Sequence, residues 1–322
     1  MASRFGTLSF DEIAEIEKKK DTENTKKVIT KSVKALRSFL HERGSNTDFE
    51  SFPVNDLDDT LKQFYANART EKGEYYKVTS YNQLRFGVMR YLKEKDIDIN
   101  GEAFKKSNET FKAVKKDLVR RGKGSVEHRN PISKGDLEKL YSHPRVFNPD
   151  TPMGLQQKVL FELILYTCRR GRENLHDMTK ATYGVFKDDS GREYVEQVQS
   201  EVDKNHDENS SLNDTTGEGR MYDRPGDKMC PVRSFKKYVS KLHPDLDALW
   251  QRPVLSFLPD DEQWYCKVIL GVNTLTRMMP TISKRAELSA SYTSHSIRTT
   301  SVQLMDEARF EARHIMRVTG HR

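Results

Sequence analysis

The sequence has few cysteines and no long apolar run. Its three cysteines, Cys168, Cys230 and Cys266, form neither a CxxC pair nor a Cys/His set. Such a scattered set supports neither a disulfide framework nor a zinc finger, and it indicates a reducing compartment, the cytosol or the nucleus. The longest apolar run, 159–166, is interrupted by Glu162, and the first residues lack the apolar core of a signal peptide. We therefore expect neither a membrane protein nor a secreted one.

Several motifs of common enzymes are missing as well. The chain contains no GxxxxGK[ST], no GxGxxG after a strand, no HExxH and no GxSxG, which argues against nucleotide hydrolysis and zinc chemistry. Hydrophobic residues make up 35% of the 322 positions and charged residues 32%. The chain is polar for a globular protein, but it is long enough for about two domains, each with its own core.

Positive charge is concentrated in the first part of the chain. Residues 1–130 hold 27 basic and 21 acidic side chains, and the segment 77–129 holds 14 basic and 7 acidic ones. This excess indicates a polyanionic partner, although solvated helix faces would give the same composition. The candidate DNA-binding residues are Arg85, Arg90, Lys112, Lys115, Lys116, Arg120, Arg121 and Lys123.

Apolar residues at three- and four-residue spacing predict four helices in residues 1–122. The first has about twenty residues and ends at Gly44, and the others cover 56–68, 80–95 and 103–121. The predicted helix 80–95 places polar, basic and aromatic side chains outside its apolar stripe, which suits a nucleic-acid groove but is also compatible with an ordinary wet helix face. These side chains are Asn82, Gln83, Arg85, Phe86 and Arg90.

A glycine-rich, basic segment predicts the domain boundary. We expect an all-α domain over 1–122, a linker over 123–132 and a second domain over 133–322. Ser133 is the predicted N-cap of the next helix, and a buried helix is expected over 154–168. The strands expected are a hairpin of 183–187 and 194–202 and a third short strand over 220–222, with a polar loop over 205–219 and helices from 231 onward. The predicted fold class is mostly α, an all-α domain followed by an α+β domain with a small antiparallel sheet.

A series of cationic residues lies in special local settings within 133–322. Arg170 follows the apolar helix, Lys204 follows the hairpin, His295 and Arg298 lie three residues apart, and His321 follows a glycine. The histidine of a Gly-His pair, His321, lies 23 residues after Arg298. A second HxxR, at 314–317, has no Gly-His at that distance from its arginine. Two arginine forks and a lysine that meet at one point suit phosphoryl transfer, because they stabilise the negative transition state without a metal. For Arg170, an ordinary structural pair with Glu173 is the alternative.

This ordered series resembles the tyrosine recombinase (phage integrase) superfamily over the whole chain. The segments 21–27 and 169–175 are similar to Crypton-type transposon recombinases and to domains derived from them in MYM-type zinc-finger and related nuclear proteins. The resemblance implies a helical core-binding domain before a catalytic one. It also implies that Arg170 and Arg298 clamp the scissile phosphate, that His295 and His321 hydrogen-bond it, and that Lys204 protonates the leaving 5′ oxygen.

The sequence departs from this family at the nucleophile. The family's tyrosine lies about nine residues after the last histidine and forms a phosphotyrosyl intermediate, whereas this sequence stops at Arg322 and no other tyrosine, Tyr292 included, has that place. Three hypotheses follow: a DNA strand-transferase once its C-terminus is completed, an inactive domesticated DNA-binding domain of a nuclear regulator, and a helical protein-interaction module with structural cations. The first two imply double-stranded DNA as partner, a nuclear location, no cofactor or metal, and leave room for a homo-oligomer on DNA.

Overall fold

The computed structural model describes residues 6–13, 23–125, 129–169, 174–198 and 219–319. The chain divides into two compact units, Met1–Glu127 and His128–Arg322. The division falls within the segment expected to be a linker, while the roles assigned to the two domains stay predictions. Among the described residues, no helix combines the length and the apolar character that a bilayer crossing requires.

The described part of the first unit is built from helices. They are α1 (Glu23–Glu42), α2 (Val54–Asn67), α3 (Val78–Lys93) and α4 (Lys105–Arg120), with short 3-10 helices at Phe49–Ser51 and Glu102–Phe104. The predicted end of the first helix is confirmed, since Gly44 has φ of +64° and its N–H bonds to the carbonyl of His41. That left-handed conformation is the one in which glycine closes a helix at least steric cost.

Helix α1 packs on α3, and α2 packs on α4. An aromatic cluster fills the space between them: Tyr81 stacks on Phe111 with ring centroids 4.7 Å apart, and Tyr65 meets Phe111 edge to face. At the crossing of α1 and α3, a Cβ atom on Gly87 would lie 2.3 Å from the Ser32 Oγ and 2.8 Å from the Val28 carbonyl oxygen. The two helices therefore approach more closely than any other residue at position 87 would allow.

We expect Gly87→Ala to lower the free energy of unfolding of the first unit by about 1–3 kcal/mol, because the added methyl group overlaps the facing helix. Gly135→Ala is the matched control: Gly135 also lies in a helix, but nothing stands within 4 Å of its Cβ position. That control should be neutral or slightly stabilising. Urea unfolding monitored by circular dichroism measures both, and equal effects of the two variants would contradict the close approach at Gly87.

The described part of the second unit surrounds one buried helix with shorter helices and two small sheets. Its helices are α5 (Lys134–Ser142), α6 (Pro152–Tyr166), α7 (Pro231–Ser240), α8 (Val272–Arg285), α9 (Ser294–Glu307) and α10 (Ala312–Thr319), with a 3-10 turn at Leu175–Asp177. Its strands are β1 (Tyr183–Lys187), β2 (Glu193–Gln197), β3 (Met221–Tyr222), β4 (Gln251–Pro253) and β5 (Tyr265–Ile269). Both sheets are antiparallel, with the order β1-β2-β3 and the pair β4-β5.

Helix α6 is buried along most of its length, charged residues included. The Lys158 Nζ lies 2.6 Å from a Glu162 carboxylate oxygen, both side chains are 0% exposed, and the Tyr141 hydroxyl donates to the same carboxylate. Burial raises the pKa of Glu162 and lowers that of Lys158, and each partner's charge opposes the other's shift. Because both charges are buried, removing either one alone would leave an uncompensated ion in the core.

The predicted fold class is confirmed: the structure is mostly helical with a small antiparallel sheet in the second unit. Ser133 is the N-cap of α5, as predicted, and its Oγ accepts from the Asp136 N–H. One expectation is wrong, because the chain after 231 is not purely helical. Strands β4 and β5 form a second sheet there, and three-residue β4 is too short to show a period of two.

Candidate functional site

Helix α9 carries the His295/Arg298 pair. It starts after Thr293, whose N–H donates to the Ser296 Oγ one turn into the helix. His295 lies exposed in the first turn, whereas Arg298 is only 6% exposed. The two side chains thus start from one end of α9 but differ in their access to solvent.

The Arg298 guanidinium joins three separate segments of the second unit. Its Nη1 donates to the Cys168 carbonyl oxygen at 2.7 Å, just after α6, and its Nη2 donates to the Thr319 carbonyl oxygen at the end of α10. Two backbone carbonyls are therefore satisfied by one buried cation. Cys168 precedes Arg170 by two residues, and Thr319 precedes His321 by two.

One side chain of α9 and the residue directly after α6 hold the end of α6 in place. The Ser301 Oγ donates to the Leu165 carbonyl oxygen at 2.6 Å, and the Thr167 Oγ1 donates to that of Leu163. Cys168 then has φ of +50°, in the left-handed region that is uncommon for a residue with a side chain. Burial raises the pKa of the Cys168 thiol, opposed by Ser301 and Arg298. The direction in which the chain leaves α6 is therefore fixed by several contacts.

Just before β3, the chain also returns to the C-terminal end of α6. A Cβ atom on Gly219 would lie 2.6 Å from the Thr167 Cα and 2.6 Å from the Tyr166 carbonyl oxygen, so the backbone there runs directly along the end of α6. Arg170, with its alternative partner Glu173, and Lys204 and His321 lie outside the described residues, as does most of the loop expected over 205–219. Their assigned roles, like those of His295 and Arg298, stay predictions.

A carboxylate fastens the loop before α9 to the start of α5. Asp136 accepts from the Ser289 N–H at 3.1 Å, from the Ser289 hydroxyl and from the Tyr292 hydroxyl at 2.8 Å. Tyr292 is buried, and its hydroxyl is occupied by this structural contact with Asp136. In the second turn of α9, the Thr300 Oγ1 accepts from the Ile132 N–H at 2.8 Å. Sequence reasoning missed these residues, because no motif links positions more than 150 apart.

We expect this network to make stability depend on pH in the acid range. Burial acts to raise the pKa of Asp136, but the hydrogen bonds from Ser289 and Tyr292 outweigh it and hold the pKa below its ordinary value of 3.8. A depressed folded pKa gives stability that is present above the unfolded pKa and is lost as pH falls through the folded one. Asp136→Ala should cost about 2–4 kcal/mol near pH 7.

Unfolding midpoints of both proteins measured between neutral pH and pH 2.5 test this expectation. The difference between wild type and Asp136→Ala should shrink below about pH 4, where Asp136 becomes protonated in the unfolded chain first. Tyr292→Phe, which removes one donor, should show a smaller loss of about 1 kcal/mol. A difference that stays constant down to the lowest pH would contradict the ionised state of Asp136.

Two of the candidate DNA-binding residues are occupied by contacts inside the first unit. The Arg85 Nη2 donates to the side chains of Asn100 and Asn108, and its guanidinium lies 5.0 Å from the Phe111 ring centroid. Arg121 pairs with Asp117 at 2.5 Å and lies over the Tyr75 ring. Both cations thus have structural roles, whatever they bind in addition.

The exposed basic residues of α4 form a stripe. Lys112, Lys116 and Arg120 are four residues apart, and all three are exposed. Within the described residues they make no ion pair, in contrast to Lys106, whose Nζ lies 3.0 Å from Asp59. Glu109 lies on the same side of the helix. The other candidates, Arg90, Lys115 and Lys123, are half-buried. The stripe, residues 112, 116 and 120, is therefore the part of the candidate set best placed to meet phosphates.

No known family profile matches this chain. It is similar to the human uncharacterized protein KIAA1958 (22% identity over 278 residues, 82% of this chain and 38% of that protein) and equally to its mouse homolog. The chain thus spans well under half the length of these relatives. Among solved structures, the chain is similar to a lambda integrase dimer bound to a COC′ core site, with a TM-score of 0.48 and 17% identity over 97% of this chain and 73% of that one. It is also similar to the Tn1549 transposon integrase in complex with transposon right end DNA, with a TM-score of 0.45 and 12% identity over 96% of this chain and 89% of that one.

Proposed function

We propose that this chain is a double-stranded-DNA-binding protein of the tyrosine recombinase type, related to Crypton-type recombinases and acting in the nucleus. Completed at its C-terminus by a tyrosine, it would cut and rejoin DNA strands through a phosphotyrosyl intermediate. The proposal rests on the ordered cationic series and on the contacts of Arg298, and it needs neither a metal nor a nucleotide cofactor.

The observation that carries this proposal is the buried Arg298 guanidinium between the Cys168 and Thr319 carbonyls. Consecutive Cα atoms are 3.8 Å apart, so positions two residues further along the chain remain within about 7.6 Å of these anchors. Two residues of chain therefore connect Arg170 to one carbonyl that Arg298 holds, and two connect His321 to the other. We propose that these three residues, with His295 and Lys204, form one phosphate site.

The chemistry of that site follows from the residue types. Arg170 and Arg298 would hold the non-bridging oxygens of a phosphodiester and stabilise the charge that develops in the transition state. Lys204 would give its proton to the leaving 5′ oxygen, and the histidines would donate hydrogen bonds to the phosphate. His295 is exposed and lies in the first turn of α9. The positive end of the helix dipole there favours binding of an anion.

A second candidate function is a domesticated DNA-binding domain without cleavage chemistry. The feature that favours it is the exposed basic stripe on α4, because phosphate contacts there need no nucleophile. It shares the phosphate site and the exposed stripe on α4, and it differs from the first only in the nucleophile. The third hypothesis, a protein-interaction module, predicts no affinity for DNA at all.

Binding to a labelled random-sequence duplex, measured by fluorescence anisotropy at several salt concentrations, tests the proposal. A protein that contacts about eight phosphates should show log K falling with log salt at a slope of about −7. Binding that does not change with salt, or no binding at low salt, would overturn the proposal and favour the protein-interaction module.

A further inference from the structure

We propose that the outward face of α3 reads thymine in the major groove of duplex DNA, with Phe86 against the thymine methyl group. This inference rests on the proposed DNA binding and extends it to sequence preference. It starts from one unusual feature: Phe86 is a 41% exposed aromatic residue in the middle of a helix whose other face is packed in the core.

Phe86 lies opposite the buried stripe of α3. Tyr81, Leu84, Val88 and Leu92 face the core, and at 3.6 residues per turn position 86 is about 155° from the centre of that stripe. Its neighbours on the outward side are exposed or half-buried polar residues: Thr79, Asn82, Gln83, Arg90 and Lys93. The outward face is thus one aromatic ring within a polar and cationic surround.

The charge of α3 identifies the kind of partner. The helix Val78–Lys93 contains no Asp or Glu over its 16 positions, and two of its three basic residues, Arg90 and Lys93, lie on the outward face. A face of this composition complements a polyanion and lacks the carboxylates that would repel phosphates. Docking of a protein on Phe86 would leave the absence of acidic residues from this helix unexplained, whereas a polyanion explains it. Among polyanions, duplex DNA matches the dimensions, because its major groove is about 12 Å wide and admits a helix about 10–12 Å in diameter.

The side chains of this face match the base edges found in that groove. Apolar contact from phenylalanine is a recurrent way to recognise the C5 methyl of thymine, which no other DNA base carries. Asn82 and Gln83 precede Phe86 by one helical turn and carry amides of the kind that pair with adenine N6 and N7. Arg90, one turn later, can reach a guanine or the backbone. The expected preference is therefore a thymine next to an adenine.

The test begins with selection of duplexes from a random library by the full 322-residue chain. Each conserved thymine of the selected site is then replaced by deoxyuridine, which removes only the methyl group. At the one position where Phe86 contacts the thymine methyl group, this replacement should weaken binding by the wild-type protein about fourfold. Phe86→Ala should bind thymine and deoxyuridine duplexes equally, whereas Phe86→Leu should retain part of the difference.

Val119→Ala is the control, since Val119 is an exposed apolar residue on the neighbouring helix α4. It should leave the discrimination unchanged. DNA binding by the wild type with equal affinity for thymine and deoxyuridine at every position would overturn this inference and leave the proposed function standing. The inference would also be overturned if Phe86→Ala kept the wild-type difference in affinity between thymine and deoxyuridine duplexes. Absence of any DNA binding would instead overturn the proposed function, and this inference with it.

Discussion

Reversing the charge of the exposed stripe on α4, in the triple variant Lys112→Glu, Lys116→Glu, Arg120→Glu, is expected to weaken DNA binding on the order of a hundredfold or more. If each residue neutralises one phosphate, its loss removes a released counterion, so the slope of log K against log salt should become smaller by about 2.7. The effect should be equal for all DNA sequences, because phosphate contacts carry no sequence information. Anisotropy titrations at several salt concentrations measure both quantities.

The matched control is the triple reversal of Lys27, Lys31 and Lys34. These lysines are exposed on α1 and change the net charge of the protein by the same amount. If binding depends on local contacts, the control should lose far less affinity and keep most of its salt slope. Equal losses in both variants would show that total charge alone attracts DNA and would contradict a phosphate-contacting surface on α4.

A chain extended past Arg322 with a tyrosine about nine residues after His321 is expected to form a covalent adduct on a nicked suicide substrate, without added metal or nucleotide. The 322-residue chain should form none on the same DNA, since the attacking hydroxyl is missing. Denaturing gel electrophoresis of labelled DNA detects the adduct. If the extended chain binds DNA but gives no adduct, the domesticated DNA-binding domain remains as the better account.

In the extended protein, Arg298 should affect both chemistry and folding. Arg298→Ala should slow adduct formation a hundredfold or more, but it also leaves two buried carbonyls without their donor. Arg298→Lys separates these effects, because it keeps the charge and loses the two-pronged geometry. We expect it to remain folded, by thermal unfolding, and still to cleave slowly. Lys204→Ala should slow cleavage of an oxygen leaving group much more than that of a sulfur one.

The helices could be predicted from the sequence because their apolar stripes are local. The spacing of residues such as Leu36 and Leu40 on α1, or Phe111 and Leu118 on α4, is visible within one segment, and each of these side chains is buried in the structure. Gly44 and Ser133 likewise gave correct helix ends from single residues. Strands β4 and β5 could not be predicted in this way, because pairing across eleven intervening residues leaves no local period.

The candidate site shows the same limit. The sequence indicated Arg298 as a phosphate ligand, but its contacts with the Cys168 and Thr319 carbonyls depend on three segments that meet only in the folded protein. Arg85 illustrates the opposite case. Its positive charge suggested DNA binding, while the structure places its guanidinium against Phe111 and two asparagines. Charge identifies candidates, and packing decides which of them face solvent.

The central claim is that Arg170, Lys204, His295, Arg298 and His321 meet at one phosphate. An experimental structure of the chain bound to duplex DNA tests it most directly. The account predicts that the guanidinium groups of Arg170 and Arg298 both lie within hydrogen-bonding distance, about 3 Å, of the same phosphate. Guanidinium groups on opposite faces of the domain, or DNA held elsewhere on the second unit, would contradict it.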